Sequence, residues 1–148
     1  MLAIRERTVT EMQAWHIVVG ADFSEGAARA LDVAISIART SGAAVTVVHA
    51  VADDEIELAT AEHRLAEIVD ARRAGGVAIA GQCRRGRPWD KVENVATELG
   101  APLIVVGRRG AGARSGEASN IGSVAERILR TSHRSVLAVA PDIGFRRR

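Results

Sequence analysis

The chain has 148 residues, of which 47% are hydrophobic and 26% charged, and its formal net charge is +2. This length suits one domain with a single core, and the near balance of charge does not indicate a nucleic-acid-binding protein. The single cysteine, Cys83, excludes an internal disulfide, and no apolar run approaches the roughly 20 residues that span a bilayer. We therefore expect a reducing, cytoplasmic setting.

Short β-branched runs alternate with helical patterns along the chain. Such runs indicate buried strands, and apolar residues at three- and four-residue steps indicate helices. The predicted strands are 17–19, 45–51, 77–80, 103–106 and 135–140. The predicted helices run from Ser24 to Gly42, from the acidic residues 53–55 to Ala74, from Pro88 to Gly100, and from Ser123 onward. The stretch 81–87 is interpreted as a basic turn.

Five strands that alternate with four helices predict one α/β domain over residues 15–141, with a mostly parallel, doubly wound, Rossmann-like sheet. Residues 1–14 are predicted to be a flexible lead-in, and residues 142–148 a basic tail. In sheets of this kind ligands bind beyond the carboxyl ends of the strands, where the strand order reverses. The segments that follow the first, second and fourth strands are therefore the functional candidates.

A glycine-rich segment joins the strand at 103–106 to the last helix. Its glycines follow at spacings too irregular for a helix, and Ser123 with Glu126 forms a capping-box pattern that places the helix N-terminus at Ser123. Free N–H groups at such a terminus hold phosphate well. A glycine-rich surface loop before an ordinary capped helix has the same pattern, so both interpretations stay open.

Several other kinds of site are excluded by spacing. A Walker A loop needs a lysine that residues 103–129 lack, and a dinucleotide fingerprint from Gly110 would need a third glycine where Ser115 stands. The four histidines share no ligand spacing and one cysteine cannot complete a zinc set, so we predict no structural metal. No nucleophile elbow is present, and no catalytic residue is predicted.

Three stretches resemble the universal stress protein family. Gly107-x-x-Gly110 and the run Gly122-Ser123-Val124-Ala125-Glu126-Arg127 resemble its nucleotide-binding signature, although the gap between Gly110 and Gly122 is two residues longer than usual in the family. The opening stretch 17–25 and the strand at 45–51 are also similar to the family's first two strands. The resemblance covers residues 17–140.

The resemblance implies a strand order of 3-2-1-4-5 and a site for ATP, in which adenine contacts backbone atoms. A divalent ion such as Mg²⁺ would accompany the phosphates, and strands 136–139 of two chains would pair in a homodimer. Asp22 also has a simpler interpretation as a loop or helix-capping carboxylate. The residues to which the resemblance assigns nucleotide binding are Asp22, Ala50, Gly107, Gly110, Gly122 and Ser123.

The function that the resemblance implies is a regulatory ATP-binding module with slow or no hydrolysis. Slow hydrolysis is expected because Asp22 is the one acidic candidate at the crevice and the glycine-rich segment contains no lysine to stabilise a leaving phosphate. Two alternatives stay open, namely a nucleotide-free dimeric interaction protein of the same fold and a slow ATP hydrolase.

Overall fold

The computed structural model describes residues 15–109 and 121–141. Five strands form one sheet in the order β3-β2-β1-β4-β5, and every neighbouring pair is parallel. The strands are β1 (His16–Gly20), β2 (Ala44–Val51), β3 (Ile79–Arg85), β4 (Leu103–Gly107) and β5 (Ser135–Val139). The predicted doubly wound fold and its strand order are therefore confirmed.

Four α-helices connect the strands, as predicted. They are α1 (Glu25–Ser41), α2 (Glu55–Asp70), α3 (Pro88–Leu99) and α4 (Ser123–Thr131). Ser24 caps α1, because its hydroxyl oxygen accepts a hydrogen bond from the Ala27 N–H at 3.1 Å. Gly42 ends α1 in the left-handed conformation at φ 77°, which a glycine adopts without steric cost. None of the helices described within 15–109 and 121–141 is long and apolar enough to cross a membrane.

The core has two layers, one on each face of the sheet. Successive strand residues point to opposite faces, so Val19 and Val47 pack on one side and Val18 and Val48 on the other. Helices α1 and α2 cover the first face, and α3 and α4 cover the second. With helices on both faces, ligands can reach the sheet at the carboxyl ends of its strands, where they bind in sheets of this kind.

The third strand differs from its prediction. A strand was predicted at 77–80 with a turn over 81–87, whereas β3 runs from Ile79 to Arg85 and pairs with β2 along its whole length. The prediction was wrong because the polar second half of β3 is held in strand conformation by its pairing with β2, which overrides its composition. Gly81 lies inside β3, where α2 packs closely on the strand. A Cβ at this position would lie 2.9 Å from the Leu65 side chain, so a glycine suits it.

The second helix is also shorter than predicted. α2 ends at Asp70, and a 3₁₀ turn over Arg73–Gly75 replaces the predicted helix to Ala74. Arg72 is drawn toward α1, where its Nε donates to Asp32 Oδ1 at 3.1 Å. The chain then reverses at Gly76, which has φ 77°.

Candidate functional site at the carboxyl edge

The predicted site residues collect at the carboxyl edge of the sheet. Strand order reverses at β1, which lies between β2 and β4. Asp22 follows β1, Ala50 is the second-to-last residue of β2, and Gly107 ends β4. Gly122 and Ser123 lie at the start of α4, on the other side of the segment that leaves β4. Gly110 lies outside the described residues.

The ladder between β1 and β2 stops one rung short at this edge. Ala21 N–H donates to the Val48 carbonyl at 2.9 Å, and regular pairing would next have the Ala50 N–H donate to the Ala21 carbonyl. Instead, the Ala21 carbonyl accepts from His49 Nδ1 at 2.7 Å. Within the described part of the chain, no hydrogen bond reaches the Ala50 N–H or carbonyl oxygen on the β1 side. Ala50 therefore offers a backbone donor and acceptor to the crevice.

An aromatic and cationic stack holds the His49 ring. The Phe23 ring lies on His49 with centroids 4.1 Å apart and an interplanar angle of 31°, and the Arg64 guanidinium lies 4.5 Å from the Phe23 centroid. Phe23 has φ 62°, the one positive φ among the described non-glycine residues. A bulky residue in this conformation is strained, and such strain concentrates at functional sites.

Asp22 supports the start of α1. Its Oδ1 accepts from the Ser24 N–H at 3.0 Å and from the Ser24 hydroxyl, and Ser24 in turn caps the helix. The simpler interpretation of Asp22, as a loop carboxylate that supports a cap, thus describes part of its role. The side chain is exposed at the crevice, so these bonds leave it accessible from solvent.

The segment that leaves β4 is tied to the start of α4. Arg108 N–H donates to the Val139 carbonyl at 2.8 Å, and Gly122 N–H donates to the Arg108 carbonyl at 2.6 Å. These two bonds bring the N-terminus of α4 to the carboxyl end of β4. The Gly122 N–H is consequently engaged within the protein and is not the donor that a ligand would meet.

The predicted capping box at Ser123 is wrong. Gly122 is the N-cap, with φ −60° and ψ 154°, and Ser123 is already the first helical residue. The Glu126 N–H therefore donates to the Gly122 carbonyl at 2.9 Å and is not available to the Ser123 hydroxyl. No described side chain caps α4. The N–H groups of its first turn, from Ser123 to Ala125, have no intrahelical acceptor.

Gly107 is a position of close backbone approach, but its described neighbour is protein. A Cβ on Gly107 would lie 2.8 Å from the Gly26 carbonyl carbon and 3.1 Å from the Arg109 carbonyl oxygen. A Cβ on Gly26 would in turn overlap the Arg109 carbonyl oxygen. These two glycines let the chain after β4 lie against the first turn of α1. Gly26 was not predicted, although a glycine in a helical first turn is a signal that can be found by inspection.

Two ionisable groups on or beside β3 have perturbed pKa values. Burial, together with the nearby Glu62 carboxylate, raises the pKa of the Cys83 thiol above its usual value, which disfavours a nucleophilic thiolate. A hydrogen bond from Arg84 lowers the pKa of Glu98, so this carboxylate is charged at neutral pH. Among residues 15–109 and 121–141, no group of three His, Cys, Asp or Glu side chains could hold a metal ion.

The model of the universal stress protein family matches residues 15–67 and 51–140 of this sequence. A solved universal stress protein in complex with cAMP is 28% identical, with a TM-score of 0.67, over 86% of this chain and 97% of that one. A universal stress protein from Archaeoglobus fulgidus in complex with dAMP is 24% identical, with a TM-score of 0.68, over 84% and 96% of the two chains.

UspA from Lactobacillus plantarum is similar in fold, with 21% identity and a TM-score of 0.72 over 86% of this chain and 98% of its own. Among curated proteins, none matches this sequence.

Proposed function

Because this chain belongs to the universal stress protein family, we propose that it is a regulatory module that binds ATP in the crevice at the carboxyl edge of the sheet. The observation that carries the proposal is the Ala50 backbone, whose N–H and carbonyl leave the β1–β2 ladder at the point where strand order reverses. The proposed site comprises the edge residues that the resemblance assigns to nucleotide binding, namely Asp22, Ala50, Gly107, Gly110, Gly122 and Ser123.

The Ala50 backbone has the hydrogen-bonding pattern that recognises adenine. Its N–H can donate to a ring nitrogen, and its carbonyl can accept from the exocyclic amino group. Guanine carries an oxygen acceptor, O6, where adenine carries that amino group. The Ala50 carbonyl would then face a second acceptor. The backbone of one residue thus distinguishes the two purines.

The phosphates would lie at the N-terminus of α4. Its first-turn N–H groups have no intrahelical acceptor and no side-chain cap, and the Ser123 hydroxyl is at the same end of the helix. Arg109 lies just after β4, and its Nε is buried without a hydrogen bond to any described residue. Mg²⁺ or a similar ion would be held through the phosphates, since no described cluster of side chains binds a metal.

A solved relative supports this choice of ligand class. The universal stress protein that is 28% identical to this chain was solved with cAMP, an adenine nucleotide. The choice of ATP is a more specific part of the proposal. It rests on the resemblance of the glycine and serine positions to the family's nucleotide-binding signature. Slow or no hydrolysis also belongs to the proposal, because residues 103–129 contain no lysine that could stabilise a leaving phosphate.

We expect ATP to bind about tenfold or more tightly than GTP. With GTP, the hydrogen bond to the Ala50 carbonyl is lost and that carbonyl faces the guanine O6, a second acceptor. Calorimetric titration with each nucleotide in the presence of Mg²⁺ measures this ratio. ATP recovered after the titration should be largely intact by ion-exchange chromatography. Equal affinities would remove Ala50 from base recognition. Conversion of most of the ATP to ADP during the titration would favour the slow-hydrolase alternative over the regulatory module.

We also propose a cytoplasmic homodimer that forms through β5. This strand lies at the edge of the sheet, where β4 is its one partner among the residues that the structure describes, and Leu137 on it is 38% exposed. An open apolar edge invites pairing with another strand, and pairing across a two-fold axis protects it.

Sedimentation velocity should show a dimer at micromolar concentration, and Leu137→Lys should shift it to a monomer. Ile56→Lys is the matched control, since Ile56 is 80% exposed on α2, which packs against β2 and β3 on the side of the sheet away from β5. A monomeric wild-type protein would reject the dimer and would leave the nucleotide site unaffected.

A further inference from the structure

We propose that His49 is the positioning residue that keeps the Ala50 backbone available to a purine base. The inference rests on the proposed function, and it adds a role for a side chain to which that function gives none. Its basis is the identity of the donor at the end of the β1–β2 ladder. The Ala21 carbonyl, which regular pairing would give to the Ala50 N–H, is instead bonded to His49 Nδ1 at 2.7 Å.

The direction of this hydrogen bond follows from its partners. A carbonyl oxygen can only accept, so Nδ1 of His49 carries the proton, an assignment made from the bonding partner. The bond satisfies an acceptor that is half-buried at the end of β1. With the imidazole bonded to that oxygen, the Ala50 N–H makes no bond to it in the β1–β2 ladder of the described residues.

The imidazole is held in place from its other side. Phe23 lies against the ring with a centroid distance of 4.1 Å, and the Arg64 guanidinium covers Phe23 at 4.5 Å. The stack belongs to three different elements, the turn after β1, strand β2 and helix α2. It thereby fixes the ring across the junction where the two strands separate. Phe23 has a positive φ of 62° in this position.

Loss of the His49 donor has a definite structural consequence. The Ala21 carbonyl would then be an unsatisfied acceptor, which is costly in a partly buried position. The nearest ladder donor in register is the Ala50 N–H, so the ladder would gain one more rung. A base would have to displace that internal bond before it could bind. The affinity for adenine nucleotide would fall although no residue that touches the ligand had changed.

Two variants separate this role from a merely structural one. His49→Phe keeps a ring for the stack with Phe23 but removes the donor. His49→Asn keeps a donor the same number of bonds from Cβ, because Asn Nδ2 and His Nδ1 are both attached to Cγ. Thermal melts should show cooperative folding of both variants. If His49→Phe is not cooperatively folded, His49→Leu serves as the donor-free variant.

The first readout is hydrogen exchange of the Ala50 amide, measured by NMR without nucleotide. We expect it to slow by about tenfold in His49→Phe, because the amide becomes hydrogen-bonded, and to stay near the wild-type rate in His49→Asn. The second readout is calorimetric ATP affinity, which should fall about tenfold in His49→Phe and recover in His49→Asn.

An unchanged Ala50 exchange rate in His49→Phe overturns the proposal, whatever happens to the affinity. Equal ATP affinity in His49→Phe and wild type overturns it as well. If the wild-type protein binds no adenine nucleotide, the proposed function fails. The exchange rate still decides the role of His49 in that case, since it is measured without ligand.

Discussion

Replacing Gly26 with valine is expected to lower the free energy of unfolding by about 3 kcal/mol. A Cβ at this position would overlap the Arg109 carbonyl oxygen, and that oxygen is backbone, which cannot move aside as the end of a flexible side chain can. The cost is opposite in sign to the usual effect, since removing a glycine from a helix ordinarily stabilises it. Urea denaturation followed by circular dichroism measures the change.

Ala28→Val is the matched control for Gly26→Val. Ala28 is exposed on the same helix, so the substitution tests only the lower helix propensity of a β-branched residue, about 0.6 kcal/mol. Equal and small effects at the two positions would show that the chain after β4 does not lie against α1 as described. Gly107→Val should resemble Gly26→Val, because a Cβ at Gly107 would lie 2.9 Å from the Gly26 carbonyl oxygen.

Replacing Gly122 with valine is expected to abolish measurable ATP binding while the protein stays cooperatively folded. Valine can adopt the backbone angles of this N-cap, φ −60° and ψ 154°, so the main chain is not strained. Its branched side chain would, however, stand beside the first-turn N–H groups of α4 that the proposed phosphate site uses. Calorimetry with Mg²⁺ and ATP measures the affinity, and a thermal melt establishes the fold.

Ile121→Val is the control for Gly122→Val. It introduces the same side chain one position earlier, at an exposed site, and should leave the affinity unchanged. If Gly122→Val binds ATP as the wild-type protein does, the phosphates do not lie at the N-terminus of α4. The phosphate-binding part of the proposed site would then be wrong. Loss of binding together with loss of the cooperative melt would instead assign Gly122 a folding role.

Local patterns were sufficient to predict most of the fold. The limits of α1 follow from Ser24 and Gly42, and Pro88 begins α3, because caps and turn residues act on their immediate neighbours. β1 and β4 are buried on both faces and consist of apolar runs. The second half of β3 could not be predicted, since its strand conformation depends on pairing with β2 and not on its own composition.

The site was only partly predictable, because its geometry depends on contacts between distant parts of the chain. The bond from His49 to the Ala21 carbonyl joins residues 28 positions apart, and no local pattern indicates it. The approach of Gly107 to Gly26 likewise becomes visible only when β4 lies beside α1. At Ser123 the local pattern was misleading, because Gly122 takes the N-cap position and its carbonyl accepts the Glu126 N–H.

The central claim is that adenine lies against the Ala50 backbone while the phosphates lie at the start of α4. Backbone amide NMR of the wild-type protein during titration with Mg²⁺ and ATP tests it most directly. We predict saturable shifts that are largest at Ala50 and over Ser123–Ala125, because both regions lie at the carboxyl edge of the sheet. Shifts confined to residues away from this edge, or no saturable shift with excess ATP, would contradict the claim.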